Sequence, residues 1–128
     1  MHREPFAVLA VVVCLLMVSG SVFAHHGDVD YERDRLTTVE GTVTRFDMIN
    51  PHGRLYFNVK DENGNVQEWY AELSAINTMR RLGWNKVTLK LGDPFTATGH
   101  RSKDGSNEMR LFKAVLANGT EIPARRLR

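Results

Sequence analysis

The stretch from Leu36 to Lys60, LTTVEGTVTRFDMINPHGRLYFNVK, constrains the fold of this chain more than any other. Its first run is rich in Thr and Val, with Val39 and Val43 on one face of a strand over Thr37 to Ile49. The apolar phase then slips, so that Phe46 and Met48 take positions that had been polar. A slip of one residue moves every later side chain to the opposite face, which marks a bulge or strong coiling. Gly41 inside the run points the same way. Asn50-Pro51-His52-Gly53 is a tight connection, and Leu55, Phe57 and Val59 then alternate inward along a second strand ending at Lys60. A long bent strand feeding a hairpin is what a small closed barrel requires.

The rest of the chain completes such a barrel. Asp61 to Asn65 is a hairpin turn with Asn-Gly at its centre. Val66 to Leu73 is a third strand burying Trp69, Ala71 and Leu73. Ser74 is placed to cap a short helix in which Ile76, Met79 and Leu82 recur at a spacing of three, and Gly83 is placed to end it. Trp84 is expected at the barrel floor or over the helix end. Val87, Leu89 and Leu91 alternate ahead of the turn Gly92-Asp93-Pro94. Phe95 to His100 and Met109 to Leu116 are strands four and five, separated by the polar loop Arg101 to Glu108, and Asn118-Gly119 returns Glu121 and Ile122 as a short last strand. Three strands, a helix and two strands is the order of the OB-fold. The expectation is therefore a mainly β chain, a small five-stranded OB-like antiparallel barrel with one short helix between strands three and four. An open antiparallel sheet with a helix on one face is the alternative.

Residues 1–24 read as a removable export signal. Phe6 to Val18 is an apolar run of 13 residues, followed by small residues with Val22 and Ala24 at the positions a signal peptidase inspects. Thirteen residues fall short of the ~20 that span a bilayer. Cleavage after Ala24 would deliver a periplasmic or secreted product with no stable membrane span. Residues 25–35 form a polar arm, 36–123 the barrel, and 124–128 a basic tail. The single cysteine, Cys14, lies inside the signal, so the trimmed product has no disulfide and no thiolate site. It keeps 16 basic against 14 acidic residues, a balance that does not indicate a nucleic-acid binder.

Candidate chemistry concentrates on histidines. Trimming would make His25 the first residue, and its amine and imidazole could chelate one ion, with His26 or His52 giving a third nitrogen. Such a set suits Cu(II). The amine must lose its proton, so binding would weaken at acid pH. His100 lies at the mouth of the Arg101–Glu108 loop and is a weaker candidate ligand. In an OB-fold, the loops after strands one and four border one face. Asn50, Pro51, His52, Gly53, Lys103 and Asp104 are therefore candidate ligand-loop residues. Tyr56, Trp69 and Tyr70 could stack a flat guest, or serve as core and sheet edge. No nucleophile elbow, calcium-hand loop or phosphate loop is present, so the sequence reads as a binding module rather than an enzyme. Its candidate partners are a small ligand or peptide, a metal ion, or an envelope protein in a purely structural role.

With these residues in view, the chain resembles a family of small exported bacterial proteins of unknown function. The likeness rests on His25-His26 after the signal, the Gly41–Phe46 strand GTVTRF, Asn50-Pro51-His52, Gly83-Trp84 and the Lys103–Asn107 loop KDGSN. It implies export and a small barrel similar to periplasmic OB-fold proteins, and brings no activity with it.

Overall fold

The computed structural model describes residues 30–126, so the stretch 1–24 read as a signal, His25 and His26 lie outside the described residues. The elements are β1 (Thr37–Asp47), β2 (Arg54–Lys60), β3 (Val66–Glu72), helix α1 (Ile76–Arg81), β4 (Pro94–Arg101), β5 (Glu108–Val115) and β6 (Glu121–Pro123). The sheet runs β3-β2-β1-β4-β5-β6, and a β3–β5 pairing closes it into a five-stranded barrel. That is the expected OB-like architecture with one correction. The closing seam, Tyr70–Glu72 against Glu108–Arg110, is parallel, so the barrel is mixed rather than antiparallel. Parity explains this: five strands cannot close a ring with every neighbour reversed. Beyond that seam, β6 takes over the same edge of β5, pairing with Lys113–Val115.

β1 does the bending that the phase slip announces. Its first half pairs with β4 and its second half with β2. The register against β2 shifts between Val43 and Arg45, leaving Thr44 as the extra residue. The shift brings Val39, Val43, Phe46 and Met48 to the same core despite their mixed parity. Gly41 lies where β1 crosses closest to the core, since a Cβ there would come within 2.6 Å of Phe57 Cδ2 and 3.0 Å of the Asn58 carbonyl oxygen. Phe57 is fully buried, edge-on to Phe95 at 5.0 Å and stacked on Trp69 at 6.3 Å between ring centres.

The helix stop is as expected and its start is not. Gly83 has φ +100°, and the Gly83 and Trp84 amides donate to the Arg80 and Met79 carbonyls, the two bonds of a Schellman end. Trp84 covers that end, buried, with its indole N–H donating to the Pro123 carbonyl at 2.8 Å. Ser74, expected as N-cap, instead donates its hydroxyl to the Ala124 carbonyl at 2.8 Å, tying the helix start to the C-terminal strand. Ala75 occupies the cap without a side-chain bond, and the first helical amide, Ile76, is satisfied by Asn50 Oδ1 at 3.1 Å. The Val87–Leu91 alternation forms turns, not a strand: Leu89 is buried while Val87 and Leu91 are exposed.

Candidate functional site

Strand register builds an outward face from the ends of five strands. Leu55, Phe57, Trp69, Ala71, Met109 and Leu111 point into the core, so their neighbours point out. Across the barrel, Asp47 pairs with Arg54, Arg54 with Glu72, Glu72 with Arg110, and Arg110 with His100. One step along, Arg45 pairs with Tyr56, Tyr56 with Tyr70, and Tyr70 with Glu108. The face thus carries a charged row beside a row with two aromatic rings. Tyr56 and Tyr70 lie 5.2 Å apart between centroids, and the Arg45 guanidinium sits 5.7 Å above Tyr56.

Glu72 is the hub. His52 Nδ1 stands 3.8 Å, Arg110 Nε 3.5 Å and Arg125 Nη2 3.7 Å from the same oxygen, Oε1. These are loose contacts, longer than a good charge-assisted hydrogen bond. Arg110 Nε is shielded from solvent and has no hydrogen-bond partner. Buried polar groups are normally paired, and this donor has only its loose ion pair with Glu72 in place of a hydrogen bond. Burial pushes Arg125 down to about 10, with the Arg110 charge acting the same way and Glu72 opposing it.

The N-terminal arm crosses this face. Tyr31 bridges to Ser102, its ring lies 4.7 Å under the Arg110 guanidinium, and its hydroxyl donates to Glu108 Oε1 at 2.9 Å. The same hydroxyl stands 3.5 Å from Glu72 Oε2. Burial, then the Glu108 hydrogen bond, raises the Tyr31 phenol well above its usual range. Tyr70 is raised for the same first reason, with the Glu72 charge second.

Of the residues read from the sequence, His52 lies at the rim of this face, half exposed and beside Glu72. His100 lies in the charged row, its Nδ1 3.2 Å from the Arg35 carbonyl and its ring against Phe112. The two imidazoles have different neighbours, Glu72 for His52 and the Arg35 carbonyl and Phe112 for His100. Asn50 serves the helix, across a cis Asn50-Pro51 bond. Gly53 is buried and exchanges backbone hydrogen bonds with Leu73 and Ser74. Lys103 pairs with Asp30 at 2.8 Å, and Asp104 accepts from the Ser102 hydroxyl and the Ser106 amide. Those amide and hydroxyl donors hold the Asp104 carboxyl below its usual value. Arg101 binds the Gly105 and Ser106 carbonyls and lies over Trp69, so the 102–107 loop is satisfied by its own contacts. Trp69 is core, whereas Tyr56 and Tyr70 are outward. Among the described residues no group of three or more His, Cys, Asp or Glu side chains is arranged to hold a metal ion.

Sequence reasoning missed Tyr31, Glu72, Glu108, Arg110 and Arg125. Glu72 shares the parity of Tyr70, and Tyr31 is the one aromatic in a polar arm, so both left a trace. Arg110 enters only through the parallel seam, which no local pattern announces. A search of the curated proteins finds no match to this chain. A family profile described as a family of unknown function, DUF6152, matches residues 11–110, and the chain belongs to that family.

Proposed function

We propose that this chain is an exported ligand-binding module, and that its site is the outward face around Glu72, Arg110, Tyr56 and Tyr70. The signal-like residues 1–24 support export. The observation that carries the binding role is the buried Arg110 Nε, which makes no hydrogen bond and only a loose ion pair to a carboxylate that Arg125 and His52 also approach. Guanidinium groups present planar forks to carboxylates and phosphates, and the neighbouring tyrosines offer flat apolar area. The guest that fits is a small molecule or peptide end with an anionic group next to a planar one. An NMR titration of the labelled exported protein with 4-hydroxybenzoate tests this. The Arg110 side-chain N–H and the Tyr56 and Tyr70 signals shift together in the expected outcome. Shifts scattered over the surface, or identical shifts with acetate and with an Arg110→Met variant, overturn it.

A second reading, copper binding through His25 with His26 or His52, gains support from the anchoring of the arm. His25 and His26 lie outside the described residues, but Tyr31 is fixed beside Glu72, whose other oxygen faces His52. Five residue steps lead from Tyr31 back to His26, a reach of up to ~18 Å at ~3.3–3.6 Å per residue. Arg110 and Arg125 repel a cation from Glu72, so the ligand set under this reading is nitrogen only. Cu(II) EPR of the exported protein tests it. A one-equivalent nitrogen-rich spectrum lost in His25→Ala supports it, and equal binding by that variant overturns it.

A further inference from the structure

A second concavity, separate from the Glu72 face, lies beside α1. It encloses about 490 Å³ and is lined by Met48, Ile76, Arg80, Asn85, Lys86 and Val87. That volume is within the range of small-molecule sites, roughly 300–1,000 Å³. Its wall is mainly apolar. Met48 packs on the core from below, and Val87 is 62 % exposed beside it. Its polar rim is two cations, Arg80 and Lys86, with the neutral Asn85, whose Oδ1 already accepts from the Val87 amide. The surrounding segment Ala75–Gly92 holds Arg80, Arg81, Lys86 and Lys90 and no acidic residue. Among the described residues, none of these four side chains pairs with a carboxylate. The same segment leaves Leu91 79 % exposed. The 101–107 segment, by contrast, has its cations partnered, Arg101 on the Gly105 carbonyl and Lys103 on Asp30.

An apolar trough rimmed by uncompensated cations is complementary to one kind of molecule. We infer that this cavity binds a single-chain amphiphile with an anionic head, the tail on Met48, Ile76 and Val87 and the head at Arg80 and Lys86. The head chemistry, an anionic carboxylate or phosphate, is shared by free fatty acids and single-chain phospholipids.

Calorimetric titration of the exported protein with decanoate and with decyl phosphate, below their micelle concentrations, tests the inference. One-to-one binding is expected, at least tenfold weaker in Lys86→Glu and in Val87→Asp, with little binding of decyltrimethylammonium. Tighter decyl phosphate than decanoate binding assigns the phospholipid source, and the reverse order the fatty acid. Both substituted residues are exposed, so the variants fold, which the far-UV CD spectrum checks. Equal binding of the cationic and anionic amphiphiles, or indifference to both substitutions, overturns the inference. So does binding to phosphatidylglycerol vesicles without any binding of the monomeric amphiphiles, which assigns the surface to a bilayer instead.

Discussion

Tyr31 should hold the arm to the barrel, and removing it in steps measures how strongly. The side chain is only 5 % exposed and reaches the barrel by a hydroxyl bond to Glu108 at 2.9 Å and a ring under Arg110 at 4.7 Å. A hydrogen bond to a charged group contributes about 1.5–3 kcal/mol, and Glu108 regains some water when the hydroxyl goes, so Tyr31→Phe should cost about 1–2 kcal/mol. Tyr31→Ala also loses the ring's burial and its cation–π contact, for a total of about 3 kcal/mol. Besides this side chain, residues 30–32 are held by two backbone hydrogen bonds, from the Glu32 amide to the Arg101 carbonyl and from the Lys103 amide to the Asp30 carbonyl, and by the exposed Lys103–Asp30 ion pair. The arm can therefore open without the barrel. Limited trypsin digestion reads that opening at Arg33 and Arg35, with product masses locating the cut. At about 1.4 kcal/mol per factor of ten, cleavage should accelerate about five- to thirtyfold in Tyr31→Phe and on the order of a hundredfold in Tyr31→Ala. The urea midpoint of the barrel should move little. Unchanged cleavage rates in both variants would refute the anchoring role. A fall in the urea midpoint matching the cleavage change would show instead that arm and barrel open as one unit.

Alkaline pH probes the same phenol. Its folded-state pKa is raised above the unfolded value near 10, so its contribution is intact below about pH 10 and is lost as pH rises beyond, by up to about 1.4 kcal/mol per pH unit. Subtilisin cleavage within the arm, normalised to an unfolded peptide at each pH, should accelerate between about pH 9 and about pH 11 more in the wild type than in Tyr31→Phe. Gly41→Ala forces a methyl against the packed Phe57 ring and the Asn58 carbonyl, and should cost about 1–3 kcal/mol in thermal unfolding. Asn50→Ala removes the acceptor for the Ile76 amide and should cost about 1 kcal/mol, with hydrogen exchange at Ile76 accelerating by about tenfold.

The barrel was legible because its signals are local. The phase slip from Val43 to Phe46 is the bulge at Thr44, and the Asn-Gly turns and Gly83 sit where the backbone reverses. Two local signals misled. Ser74 has the chemistry of a cap, but a long-range acceptor, the Ala124 carbonyl, outcompetes the helix for its hydroxyl. Val87, Leu89 and Leu91 alternate, but a single buried residue, Leu89, suffices to pin a turn. The site was far less legible than the fold. Its charged row joins residues from Asp47 to Arg110 through the parallel β3–β5 seam, and Arg125 arrives from the far end of the chain. Neither adjacency exists until the ring closes. The arm shows the same point from the other side. No local pattern announces the Tyr31–Ser102 bridge that ties it to the barrel.

Calorimetry of 4-hydroxybenzoate against the wild type and Arg110→Met tests the proposed binding face most directly. Losing a charge-assisted hydrogen bond of about 1.5–3 kcal/mol predicts one-to-one binding weakened by about ten- to a hundredfold in the variant. Identical isotherms for the two proteins, or no heat of binding to the wild type at millimolar ligand, would contradict it.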